Sequence, residues 1–309
     1  MPRADAIHLG LMAAALVLAY VLPFELLLLS YAILGPVHYL TEISWLHQRR
    51  YFLLWPWLAS ALVILAVAAI NTTSWQASGL MIWSAVLLAA VAAIPMRWFA
   101  RAVIAAAAVA LTWAIFTQDI FIAITAALIP TVIHVSLFTL VFMIVGAHRA
   151  RSWSQAALIG IYLAAIALIF VLPPGAPIRW LHFDEIGWRY FAAVAPALGK
   201  FIGIPDWHVD QRFAGLLSFV YTYHYLNWFI KADVIRWRDV PTWRLVGVTV
   251  LGIAATALYF YDYALGFRVL LFLSLLHVLL EFPLNALSFR QLGGILLSGV
   301  QRRVRLQQV

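Results

Sequence analysis

Long apolar runs, each near the length of a bilayer crossing and separated by short polar connections, dominate the pattern along the chain. A crossing helix needs about 20 such residues. On that window the chain divides into segments near 7–22, 24–47, 51–70, 77–95, 98–117, 120–147, 154–172, 211–231, 243–260 and 263–289. The pattern predicts an all-α, polytopic transmembrane helical bundle of about ten spans. Runs such as ALVILAVAAI and MIWSAVLLAAVAAI do not alternate polar with apolar positions, which argues against a β-barrel. The first two segments meet at a tight turn, Pro23, Phe24 and Glu25. The longest connection, 173–210, opens with PPGAP and mixes aromatic with charged positions, which predicts a short interfacial helix or cap. No composition break divides the chain, so 1–309 reads as a single integral membrane domain.

Composition agrees and narrows the class. The 309 residues are 65% hydrophobic and only 10% charged, with a mean hydropathy of +0.97, far outside the soluble range. The net charge of +8 is not a nucleic-acid signal, because most Lys and Arg sit in short clusters between apolar runs. Connections at 48–50, 96–101, 148–151 and 231–239 and the tail are basic, whereas NTTSWQ, TQD and YDY carry no Lys or Arg. These alternate as both termini on the cytoplasmic side require, and short basic loops suit a bacterial inner membrane. The start, MPRADAIHLG, lacks a small-residue cleavage site, so the first segment is expected to be a retained span. The Ala-rich stretch 59–110 suits close helix packing, giving spans three to five a scaffold role.

Four of nine histidines lie deep in spans. His182 and His208 fall in the long connection, His47 and His148 at the inner membrane edge, and His8 near the inner start of the first span. His38 precedes Arg49 by eleven residues, His134 precedes Arg149 by fifteen, His224 precedes Lys231 by seven and His277 precedes Arg290 by thirteen. At a helical rise of about 1.5 Å per residue these offsets are roughly 10 to 22 Å, so the four imidazoles can share one layer. Ionisable groups at such depth are costly and mark functional sites or pathways.

Glu42 follows His38, and Glu281 follows His277, by four residues, which puts each pair on one helix face. Such a carboxylate can ligate a metal or fix the tautomer of a ligating imidazole. With no cysteine in the chain, any metal must be held by His, Asp or Glu. A histidine-rich site suits iron as Fe2+, with zinc or manganese as alternatives. Around His224 the run FVYTYHYLNWFIKADVIRW is aromatic and polar, and Asn227 lies on the His224 face. There it can hydrogen-bond a substrate or a ligand, while Lys231 continues the stripe toward the inner surface. No GxGxxG, P-loop, nucleophile elbow or HExxH occurs, and the histidines do not form the membrane-surface clusters of fatty-acid desaturases.

These residues resemble the Brp/Blh β-carotene cleavage dioxygenases, polytopic membrane proteins with a histidine on each of four spans. Gly35-Pro36-Val37-His38-Tyr39-Leu40-Thr41-Glu42 is similar to that family's Gly-x-Pro-His-Gly-x-x-Asp segment, with Pro36 one residue further from the histidine, Tyr39 for glycine and Glu for Asp. Ile133-His134 resembles its second histidine segment, without an acid downstream; Tyr223-His224-Tyr225-Leu226-Asn227 falls where its third histidine does. Leu276-His277-Val278-Leu279-Leu280-Glu281 resembles its last His-x-x-x-Asp. The resemblance implies iron held by His38, His134, His224 and His277, with Glu42, Glu281 and Asn227 assisting. It also implies dioxygen and a carotenoid or related isoprenoid, entering from the lipid and cleaved to aldehydes such as retinal. The competing expectation is a transporter or proton-coupled carrier that uses the same His and Glu groups as a relay.

Overall fold

The computed structural model describes residues 2–50, 56–93, 96–115, 133–175, 211–230 and 240–306, and all secondary structure among them is helical. In chain order the helices are α1 (Arg3–Val21), α2 (Glu25–Leu29), α3 (Gly35–Arg49), α4 (Pro56–Asn71), α5 (Trp75–Ala93), α6 (Trp98–Ile115), α7 (Thr139–Ala150), α8 (Trp153–Val171), α9 (Gln211–Ile230), α10 (Thr242–Tyr261) and α11 (Tyr263–Leu306). The expected turn stands at residues 22–24 between α1 and α2. The connection expected to hold an interfacial helix, apart from 173–175, and Lys231 lie outside the described residues.

Among the described residues, six helical stretches are long and apolar enough to cross a membrane: Arg3–Val21, Glu25–Arg49, Ile133–Ala150, Trp153–Val171, Thr242–Tyr261 and Tyr263–Leu297. The chain is therefore an integral membrane protein of helical-bundle type. Three shorter apolar helices, Trp57–Asn71, Ala77–Ala93 and Trp98–Thr112, fall in the expected third, fourth and fifth segments. The 20 residues of α9 are long enough but more polar than the six, because this helix carries His224, Asn227 and a run of tyrosines.

Two stretches depart from α-helical winding. Ser30–Leu34 is a π-helical turn running directly into α3, and 133–138 is π-helical ahead of α7. Such turns hold an extra residue and recur at functional sites. Here one contains His134 and the other ends one turn before His38. In α11, Pro283 has no N–H to give the carbonyl four residues back, so the hydrogen-bond ladder is interrupted two residues after Glu281.

The helices that carry the four deep histidines gather at the centre. Helix α11 packs against α3, α10, α4, α5 and α7, while α9 packs against α1, α2, α8 and the first π turn. One apolar cluster joins α3, α4, α5 and α11 through Leu46, Leu62, Ala85, Ala89 and Leu279. A second sets Ala15 and Ala19 of α1 against Tyr162, Phe219 and Tyr223 of α8 and α9. Small residues facing aromatics is how helices pack where lipid removes the hydrophobic drive. Large apolar side chains such as Val17, Ile64, Leu168 and Val250 point outward, as a bilayer-facing surface requires.

Polar pairs tie the central helices together. Ser30 Oγ lies 2.6 Å from Thr222 Oγ1 in a buried hydrogen bond, and Trp228 Nε1 donates to Thr41 Oγ1 at 3.0 Å. At the corner between α10 and α11, a Cβ on Gly266 would lie 2.3 Å from the Tyr259 Cα, so only glycine permits that approach. Gly266→Ala is accordingly expected to lower thermal stability in detergent, by about 1–3 kcal/mol as for other overpacked sites. Gly160→Ala, where a Cβ meets nothing within 4 Å, should leave the midpoint unchanged or slightly raised.

Candidate metal centre

The four deep histidines converge. Ring centroids lie 4.8 Å apart for His38 and His224, 5.1 Å for His224 and His134, 4.8 Å for His134 and His277 and 5.3 Å for His277 and His38. These contacts close a ring of four imidazoles from four different helical segments. His38, His134 and His277 are fully buried, and His224 is half-buried.

The spacing of the nitrogens fits a metal. Two ligand bonds of about 2.1 Å at a right angle put their nitrogens about 3.0 Å apart, and a trans pair about 4.2 Å apart. His134 Nε2 and His277 Nε2 are 3.0 Å apart. His38, His224 and His277 each offer a nitrogen, all within 4.8 Å of one another, so the widest pair could stand about 0.6 Å beyond a trans pair on one ion, and His134 falls outside this group of three. His38 Nε2 stands 3.2 Å from Glu42 Oε2, a separation that also suits two ligands of one ion. Buried nitrogen and oxygen donors without thiolate form a set suited to iron, manganese or zinc.

Two of the other ring nitrogens, on His224 and His134, have neighbours that orient them. His224 Nδ1 is 2.8 Å from Thr139 Oγ1; with the proton on Nδ1, it donates to the hydroxyl and turns the Nε2 lone pair to the cluster. His134 Nδ1 lies 3.2 Å from Glu281 Oε2, placing the carboxylate behind the imidazole on the side away from His277. That arrangement raises a ligand's basicity and fixes its tautomer. Asn285 Nδ2 in turn donates to Glu281 Oε2 at 3.2 Å.

The two glutamates thus sit differently. Glu42 approaches its own helix neighbour His38, as the four-residue spacing predicts. Glu281 is equally spaced from His277 but reaches across to His134, supplying the acid that the His134 segment lacks in sequence. A shared helix face brings two side chains near each other, and their rotamers decide which groups meet.

Aromatic side chains wall the cluster. Tyr39 stacks on His277 with centroids 4.4 Å apart, and its hydroxyl meets that of Tyr225 at 2.5 Å. The Tyr225 ring lies 5.0 Å from His38, and the Trp228 ring 5.6 Å from it. Gly35 makes room for this wall, since a Cβ there would lie 3.0 Å from the Tyr39 hydroxyl.

A cavity of about 560 Å3 reaches the cluster, with His38, His224, Glu42, Glu281 and Asn227 in its lining. His8 lines it as well, with Nδ1 3.5 Å from the Tyr223 hydroxyl, so this histidine belongs to the cavity wall rather than to the membrane edge alone. His47, 3.4 Å from Arg244, and His148 are both exposed. His182 and His208 are outside the described residues. All seven candidate residues are thereby brought to one site. Thr139, Tyr39 and Tyr225 were not singled out by sequence: a threonine within an apolar run has no spacing pattern linking it to a histidine 85 residues away.

Comparison with protein-family models, with curated proteins and with solved structures finds no match to this chain.

Removing the hydroxyl behind His224 tests the arrangement directly. Thr139→Val should weaken metal affinity about 10- to 100-fold in competition with a chelator, as loss of a ligand-orienting group does, whereas Thr139→Ser should keep it.

Proposed function

We propose that this protein is a non-haem iron-dependent membrane oxygenase that cleaves a double bond of a long apolar substrate, a carotenoid or related isoprenoid. The observation that supports it best is the buried convergence of His38, His134, His224 and His277, two of which, His38 and His224, line a cavity together with Glu42, Glu281 and Asn227. A lone buried histidine is readily explained by one interhelical hydrogen bond. Four of them with two carboxylates form a donor set. The similarity to the Brp/Blh segments points the same way, and the full proposal includes about ten spans, both termini cytoplasmic, in a bacterial inner membrane.

Within that reading the four imidazoles hold the metal, and Glu42 either joins them or accepts a proton beside His38. Glu281 holds the His134 ring through Nδ1. Thr139 does the same for His224. The stacked Tyr39 and the Tyr225 ring keep water from the buried side of the cluster, and Asn227 offers a hydrogen bond to a polar atom in the cavity. Iron bound there would supply the activation of dioxygen that the side chains cannot provide. The overall reaction balances without an external reductant: one carbon–carbon double bond breaks, and each carbon takes one oxygen atom of a single dioxygen, giving two carbonyl products.

The burial of Glu42 and Glu281 in the lining of the same cavity favours a second reading, a proton-coupled carrier in which the His and Glu groups relay a proton. Metal analysis separates the two. The purified protein should hold iron stoichiometrically, and His38→Ala or His277→Ala should lose it; a metal-free protein that remains active would remove the oxygenase. Expression in a host that makes carotenoids and related isoprenoids should consume one of these polyenes and release its carbonyl products, and the same variants should leave it intact.

A further inference from the structure

The cavity has two chemically different ends. Its deep end carries His38, His224, Glu42 and Glu281. Arg49 and Arg149 also line it, both exposed and both in the last turns of their helices, α3 and α7. Between the two ends the lining includes Trp45, Phe142, Met143, Leu284 and Leu287. It is a basic opening leading through an apolar passage to an acidic, histidine-rich floor.

The arginines are held at this opening by the local fold. Arg50 and Arg151, at φ 57° and 49°, end α3 and α7 in the left-handed conformation, so both helices stop at this edge. The Arg49 guanidinium lies 5.9 Å from the centroid of the Trp45 ring, which itself lines the cavity. Arginines at an inner membrane surface are ordinarily explained by orientation and by the helix dipole. These two in addition face one cavity from two different helices. The other acid near them in the lining, Asp5, is buried and accepts a hydrogen bond from the Ser154 hydroxyl, so among the described residues the exposed charge at the opening is basic.

We infer that the site takes an amphiphile with an anionic head, a carboxylate or a phosphate ester, whose head sits at Arg49 and Arg149 while its apolar chain runs inward to the histidines. This narrows the substrate of the oxygenase reading from carotenoid hydrocarbons to related isoprenoids that carry an acidic head; it rests on that reading for its chemistry, but not for its binding. The charge pattern sets the direction of entry. An anionic head is drawn to the arginine pair by charge-assisted hydrogen bonds and repelled by Glu42 and Glu281. Arg49 follows Glu42 by seven residues and His38 by eleven, so the reacting carbon lies roughly 10 to 16 Å from the head at helical rise. A neutral hydrocarbon would find no use for the arginines.

Binding can be read without turnover. Bromine on an acyl chain quenches tryptophan emission, and Trp45 and Trp228 line the passage. Purified full-length protein would be titrated with a brominated long-chain carboxylate, then competed with an alkyl phosphate, an unbrominated carboxylate and an alcohol of equal chain length. One anion or the other should bind at least about tenfold more tightly than the alcohol; which of the two wins identifies the head as a phosphate ester or a fatty-acid carboxylate. The double variant R49Q/R149Q should lose that preference while retaining its metal, and R49K/R149K should keep most of it. Equal binding of alcohol and anions by the unaltered protein would overturn the inference, as would a double glutamine variant that still prefers the anion. Because metal-depleted protein can be titrated in the same way, a failure of the oxygenase reading shows in the metal analysis and not here.

Discussion

In hydrocarbon a polar side chain has no water to return to, and that condition governs this bundle. Four imidazoles and two carboxyl groups at the centre are sustained because each meets another polar group there: His134 meets His277 and Glu281, His38 meets Glu42, and His224 meets Thr139. Removing one member strands its neighbours where desolvation costs most. The positions of α3, α9, α11 and the segment before α7 follow from the need to bring these groups within reach of one another. The outer helices α4 and α5 complete the packing through alanine and leucine contacts with α11.

The same constraint made part of the site legible in sequence. A histidine far from the nearest basic cluster, inside an unbroken apolar run, has to face a partner, and counting residues to the inner edge put four of them in one layer. The helices could be read for a similar reason, since an apolar run of crossing length admits few other solutions. Helix α9, expected as a span, is more polar than the six of crossing length. Its polar and aromatic content lowers its hydropathy because it builds the site, so the feature that makes it informative also weakens its membrane signal.

What sequence could not supply is pairing across helices. Helical spacing assigns Glu281 to His277, yet the carboxylate meets His134, more than a hundred residues away in the chain. Thr139 and the Tyr39–Tyr225 pair are invisible for the same reason: an interhelical contact leaves no periodic trace. The cavity's polarity was also hidden, because Arg49 and Arg149 look like ordinary orientation signals until both are found on one lining.

The two π turns carry a consequence for ancestry. A wide turn amounts to one residue inserted into an α-helix, and beyond it every side chain is rotated by about 100° relative to an uninterrupted helix. At 133–138 and at Ser30–Leu34 that rotation decides which positions face the centre. A lineage that gained or lost such a turn would have to shift its histidine by one position to keep the same nitrogen in the same place. Descendants could then share a centre in space while the spacing of their sequence motifs drifts apart, and counting conserved intervals would understate how closely they are related.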